Sequence, residues 1–300
     1  TVKIKIRKMN VLSLFNGMGT LRQAFHDMNI KIDKYYSSEI KPYAIELQQY
    51  HFPDVIQVGD INNWEEWNID WKNIDFIGSG SPCQDFSSAG KQSVRKGLNG
   101  NRSSLFFTFV EILEHVKKLN PNVLFLQENV GSANTKDVGI MSRLLGVYPI
   151  RINSSLVVGA LRDRYYWTNI KTKQDGMFGD IVVDIPQPKD KNIYFQSILT
   201  SGFTDRKKSN CLLEGTIKKN WKKKPKTKKW QEYLKKRPGS MIILIQENNF
   251  VRLPNKIEMC RMQGFKDDYC DILDDKKAGS LLGDGWTLPI IIHILSYIKK

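Results

Sequence analysis

"VLSLFNGMGTLRQAFHDM", residues 11–28, decides the architecture. An apolar run (11–15) breaks at Gly17 and Gly19 and passes straight into helical spacing over 20–28. Strand, tight turn and helix then recur. "KYYSSEI" (34–40), "VIQVGD" (55–60), "IDFIGSG" (74–80) and "NVLFLQENV" (122–130) read as strands. "PYAIELQQYHF" (42–52) and "SLFFTFVEILEHVKKL" (104–119) read as helices. Such alternation predicts an α/β fold with a mainly parallel sheet. Ligands of these sheets gather at the carboxyl ends of the strands. Gly17, Glu39, Asp60, Cys83 and Glu128 are expected there together.

The glycine turn lets the backbone approach a ligand at a helix N-terminus. Glu39, twenty residues after Gly19, stands where an acid takes a ribose hydroxyl pair. Arg22 occupies the place of the third glycine of the dinucleotide fingerprint, and no G-x-x-x-x-G-K-[ST] occurs. A nucleoside cofactor without a pyrophosphate fits this pattern better than NAD or ATP. S-adenosylmethionine is one, and Asp60 is placed to reach an adenine amino group.

The chain has 300 residues, room for one large domain with an insert or for two modest ones. Beyond about residue 170 the sequence turns polar and lysine-rich. We expect a catalytic domain over 1–170 and 251–300 and a target-recognition region over 171–250. The four Cys include no C-x-x-C pair, which argues against a disulfide framework and against a metal such as zinc. That usage suits a reducing compartment. No signal peptide is visible, and the apolar stretches look too short to cross a bilayer. A cytoplasmic location in a prokaryote or phage host is expected, or a nuclear one in a eukaryote.

Lys and Arg number 46 against 31 Asp and Glu, a formal charge of +15. Between Thr204 and Arg237 fourteen basic residues face three acids, with Trp221, Trp230 and Tyr233 interleaved. Such a run is either a solvated basic face or a polyanion-binding surface; the aromatics favour the second.

"GSGSPCQDFSSAGK" (78–91) places Cys83 directly after a proline. Three readings apply. Cys83 is a small core residue, a zinc ligand or a nucleophile. The deaminase zinc pattern needs H-x-E and P-C-x-x-C, and no second Cys follows here. A nucleophile needs a partner acid or base. None of the four His lies in these motifs, whereas Glu128 ends the neighbouring strand. A Cys and a carboxyl group suit one reaction in particular. A thiolate adding to carbon 6 of cytosine makes carbon 5 enamine-like while the carboxyl group, hydrogen-bonded at N3, absorbs charge. Carbon 5 then accepts a methyl group, and loss of its proton expels the thiolate.

The whole set of motifs resembles the C5-cytosine DNA methyltransferases, in the branch of the animal de novo enzymes and their phage and bacterial relatives. "FNGMG" (15–19) is similar to the family's cofactor loop, "SPCQDFS" (81–87) to its nucleophile motif and "ENV" (128–130) to its acid motif. "RDRYYWTNI" (162–170), "RLPNKIEMCRMQGF" (252–265) and "GDGWTLPIIIHIL" (283–295) resemble its arginine motif, scaffold helix and final cofactor-side helix. The resemblance implies a Rossmann-like S-adenosylmethionine-dependent methyltransferase acting on double-stranded DNA. It implies Cys83 as nucleophile, Glu128 as its N3 partner, Asn129 holding the nucleophile loop, and Arg162 and Arg164 orienting the glutamate and the flipped nucleotide. It further implies a cofactor pocket of Phe15, Gly17, Met18, Gly19, Glu39, Ile40, Asp60, Ile61, Pro82, Leu105, Asp284 and Trp286. Asp284 stands where the family usually has Asn. Residues 84–102 read as a lid whose Ser87, Lys91, Arg95, Lys96 and Arg102 meet DNA, joined by Lys222, Lys223 and Lys224. A tRNA cytosine-5 methyltransferase and a silent nucleic-acid-binding paralogue are the alternatives.

Overall fold

The computed structural model describes residues 8–82, 104–177, 179–213, 224–225, 245–248 and 250–298. The chain divides into two compact units. The first comprises 1–152, 163–187 and 291–300; the second comprises 153–162 and 188–290.

The first unit holds seven strands: β1 (Met9–Leu14), β2 (Ile32–Ser38), β3 (Val55–Gln57), β4 (Phe76–Ser79), β5 (Leu124–Val130), β6 (Ile150–Asn153) and β7 (Asp163–Thr168). They form one sheet in the order β3-β2-β1-β4-β5-β7-β6. The pairs from β3 through β5 are parallel, and β7 runs antiparallel to β5. The order reverses between β1 and β4, so ligand-binding loops are expected beside those two strand ends.

Helices α1 (Thr20–Asp27), α2 (Pro42–His51), α3 (Ser104–Leu119) and α4 (Thr135–Leu145) connect the strands. In α3, Phe106, Phe109, Ile112, Leu113 and Val116 are fully buried at three- and four-residue spacing, one continuous face. Truncating Phe109 to Ala would cost about 3–5 kcal/mol. Helix α4 begins at Asn134, whose Oδ1 accepts the Asp137 N–H at 2.8 Å, and ends at Gly146 with φ 71°. Its cap signals stood in the sequence, but the helix was not anticipated.

A hairpin of β8 (Thr172–Asp175) and β9 (Asp180–Val183) also belongs to the first unit. Tyr148 N–H donates to Ile181 O at 2.8 Å and Tyr148 O accepts from Val183 N–H at 3.0 Å. These bonds place the stretch up to Gln187 with the sheet, although it lies inside the span expected to be the recognition region.

The second unit carries a small sheet, β10 (Lys224–Pro225), β12 (Phe250–Arg252) and β11 (Ile245–Glu247) in that order. Its helix Lys256–Gln263 opens on a capping box between Asn255 and Glu258. Glu258 is buried and pairs with Arg252 at 2.7 Å, while its Oε1 accepts from the Thr200 N–H at 2.8 Å. These contacts draw residues 251–263 into the second unit rather than the catalytic sheet. One expectation from composition needs correction. Asp275–Leu295 is long and apolar enough to cross a membrane, yet 67% of its most apolar 18-residue window is buried within the protein. It is broken into two helices, Asp275–Asp284 and Leu288–Leu295.

Candidate active site

The first strand ends in a strained turn. Phe15, Gly17 and Gly19 all have left-handed backbone, with φ of 54°, 55° and 82°. Glycine adopts this freely, whereas Phe15 gives up about 1–2 kcal/mol to do so. Strain of that kind concentrates at functional sites. The turn delivers the chain into α1, whose N-cap Gly19 offers no side chain to the first turn.

Glu39 follows β2 directly and grips this turn. Its Oε2 accepts the Gly17 N–H at 2.7 Å, and its Oε1 accepts the N–H groups of Ile40 and Lys41 at 2.9 Å each. Asp60 lies three residues past β3 and accepts the Asn62 N–H at 2.9 Å. Ile61 is buried beside it, as is Met18. Ile40 is 67% exposed, an apolar surface next to the Glu39 carboxylate. Leu105, the second residue of α3, is half-buried.

Beneath the turn lies a buried polar network. Asn16 Oδ1 accepts from the Ser13 hydroxyl at 2.7 Å and the Tyr35 hydroxyl at 3.0 Å. Burial pushes the Tyr35 hydroxyl far above the ordinary phenol range, so it remains a neutral donor. Asn16 Nδ2 donates to Ser37 Oγ at 3.0 Å, and Ser37 Oγ donates to Gln48 Oε1 at 2.8 Å. Gln48 Nε2 donates to Gly17 O at 2.6 Å. The sequence reading passed over Gln48. The available signal was a polar residue on the stripe of α2 that also buries Ala44 and Leu47.

On the other side of the switch point, β4 leads through Ser81 to Pro82. Ser81 Oγ accepts from Gln127 Nε2 at 2.8 Å and from Asn129 Nδ2 at 3.5 Å. Gln127 and Asn129 thus both reach Ser81, the shorter contact being that of Gln127. Cys83, Ser87, Lys91, Arg95, Lys96 and Arg102 lie outside the described residues, as do Lys222 and Lys223. Lys224 opens β10.

Strand geometry brings Glu128 and Arg164 together. Glu128 stands opposite Tyr166 in the β5–β7 ladder, so Arg164, two residues earlier on β7, shares its face. Arg164 Nε meets Glu128 Oε1 at 2.7 Å, with Glu128 only 7% exposed. Arg162 sits elsewhere, in the second unit. It is 4% exposed, and its guanidinium donates to Gly283 O at 3.1 Å and Asp284 O at 3.3 Å. Asp284 and Trp286 belong to the same unit, Asp284 exposed and Trp286 buried. Among the described residues no cluster of three His, Cys, Asp or Glu could hold a metal.

Residues 9–145, from β1 to the end of α4, match the model of the C-5 cytosine-specific DNA methylases. That match spans a little under half of the chain, so it is a likeness to that family over β1 to α4. The comparisons support a DNA cytosine-5-methyltransferase. The chain is 28% identical to the Type II methyltransferase M1.ScrFI of Lactococcus lactis subsp. cremoris, over 96% of this chain and 77% of that relative. It is 30% identical to the Type II methyltransferase M.NgoBV of Neisseria gonorrhoeae, over 65% of this chain but 43% of the relative. A methyltransferase structure from Entamoeba histolytica, EhMeth, superposes with a TM-score of 0.64 at 16% identity, covering 97% of this chain and 98% of that one. That likeness is one of fold, α/β with a mostly parallel central sheet.

Proposed function

We propose that the chain methylates carbon 5 of cytosine in double-stranded DNA, using S-adenosylmethionine and a covalent Cys83 adduct on a base turned out of its stack. The observation that carries this reading is the Arg164–Glu128 pair at 2.7 Å, beside the Ser81–Pro82 segment that leads to Cys83. A carboxyl group clamped by a guanidinium is held in one orientation, as recognition of a ring nitrogen requires.

The residues at the glycine turn fit the cofactor by their chemistry. Glu39 offers carboxylate oxygens to a ribose diol, Asp60 an acceptor for an amino group, and exposed Ile40 an apolar face for a flat ring. Bound there, the cofactor would supply an electrophilic methyl group. The chain's own residues do the rest. Cys83 adds its thiolate to carbon 6, forming a carbon–sulfur bond. Glu128 holds the N3 position and absorbs the developing charge. After carbon 5 has gained its methyl group, loss of the carbon 5 proton restores the ring double bond and breaks the carbon–sulfur bond. Arg164 and Asn129 orient Glu128 and the nucleophile segment. The lid, with Ser87, Lys91, Arg95, Lys96 and Arg102, and the run at Lys222–Lys224 would meet phosphates. By the sequence resemblance alone, Asp284 and Trp286 would contact the cofactor; Arg162, which the resemblance assigns to the glutamate and flipped nucleotide, instead meets the Gly283 and Asp284 carbonyls. The reaction suits the cytoplasm of a bacterium or phage host.

Duplex DNA carrying 5-fluorocytosine at the target site tests the reading, because fluorine blocks the final proton loss. The protein should stay bonded to that DNA on a denaturing gel only when S-adenosylmethionine is present, and peptide mapping should find the link at Cys83. Cys83→Ala should give no adduct, and Glu128→Gln should slow it by about 10²–10⁴. A link at Cys211, Cys260 or Cys270, or methylation of tRNA in place of DNA, would overturn it.

A further inference from the structure

We infer that Gln48 is a positioning residue for the cofactor, holding the Gly17 carbonyl so that the strained turn keeps its shape while Glu39 is engaged by the ribose. This rests on the pocket proposed above. Gly17 is gripped from two sides. Its N–H goes to Glu39 Oε2 at 2.7 Å and its carbonyl accepts from Gln48 Nε2 at 2.6 Å.

The two grips are not equivalent. An ionised carboxylate has about four acceptor sites. Three backbone N–H groups already draw on Glu39: Gly17, Ile40 and Lys41. A ribose diol needs two more hydrogen bonds from the same group, so it competes with Gly17 for Oε2. The hold on Gly17 N–H therefore loosens in the state where the turn must be most exact. Gln48 stands outside that competition. It is 1% exposed, and its side chain is locked at its other end. Ser37 Oγ and Gln57 Nε2 both donate to its Oε1, at 2.8 and 2.9 Å. With the acceptor saturated, the amide orientation is fixed and Nε2 points at Gly17. Ser37 is in turn fixed by Asn16, the residue next to Gly17. The network closes on the turn through the buried side chains of Asn16, Ser37 and Gln48.

Replacing the donor while keeping the acceptor isolates this role. Gln48→Glu retains the shape and the oxygen that Ser37 and Gln57 use, and assayed at a pH high enough to ionise this buried carboxyl it cannot donate to Gly17 O. Gln48→Leu removes both functions and leaves Ser37 and Gln57 without their partner; should that variant fail to fold, Gln48→Glu carries the test alone. For folded Gln48→Glu the KM for S-adenosylmethionine and the Kd for S-adenosylhomocysteine should rise about tenfold, the scale of one lost buried hydrogen bond. At saturating cofactor, kcat should stay within about twofold, and the KM for DNA should not move. A merely structural residue would lower the melting temperature without this split. Unchanged cofactor affinity, or a fall in kcat at constant KM, overturns the inference. Glu39→Ala runs beside it. If it too leaves cofactor affinity intact, the pocket itself is misplaced and both readings fall. If it weakens binding while Gln48→Glu does not, the role of Gln48 alone is refuted.

Discussion

Arg162 and Arg164 stand two positions apart and make unlike contacts. Arg164 reaches Glu128, whereas Arg162 caps the carbonyls of Gly283 and Asp284. Their substitutions should separate accordingly. Arg164→Lys keeps the charge but loses the planar fork, and we expect kcat to fall about 10- to 100-fold with the melting temperature little changed. Arg162→Ala strands two carbonyls and should lower stability by about 1–3 kcal/mol in denaturant titration. Equal stability loss in both would refute the division. Glu39→Ala should weaken cofactor binding by about 1.5–3 kcal/mol for each charge-assisted bond lost, read by calorimetric titration.

At the level of elements, the helix Lys256–Gln263 depends on one buried carboxylate. Burial alone would raise the Glu258 pKa, but hydrogen bonds from Arg252, Thr200 and Asn255 outweigh it and hold the group below the ordinary carboxylate range. A carboxylate depressed in the folded state adds stability that is complete above the unfolded pKa of about 4.3 and disappears as pH falls through the folded value. Glu258→Gln should therefore cost most above about pH 5, about 3–5 kcal/mol for a broken buried pair. The gap to the parent protein should narrow in melts carried below about pH 4. Legibility also varied by element. The β1–α1 turn, α2, α3 and β5 were readable because apolar runs there end at Gly or Pro. Glu128 was visible through its place at a strand end; its partnership with Arg164 was not, because register across β5 and β7 is a tertiary property. The hairpin β8–β9 was missed because β8 is wholly exposed and carries no alternation. Gln48 was missed because a buried glutamine reads as a surface residue until its partners are known.

For the molecule as a whole the dominant number is the charge of +15. Much of the excess lies between Thr204 and Arg237, a stretch whose composition announced a polyanion partner but whose contacts no periodicity could specify. If roughly five of its basic residues meet phosphates, log K for DNA should fall with log salt at a slope of about −4 to −5. Changing Lys222, Lys223 and Lys224 to Ala should flatten that slope with little effect on sequence preference, since phosphate contacts position rather than specify. Fluorescence anisotropy across a salt series reads both quantities, and an unchanged slope would make the run a solvated face.

The antiparallel ladder of β5 and β7 has a consequence for how such a sequence is able to diverge. Glu128 and Arg164 meet because two strands count residues in opposite directions from a shared register. Substitutions around them leave that count untouched, so composition is free to drift widely while the pair survives. A change of length is another matter. One residue gained between Arg164 and Tyr166 would turn Arg164 to the opposite face of the sheet. Insertions and deletions in this lineage should therefore accumulate outside the two strands, in connections where no residue has to keep count.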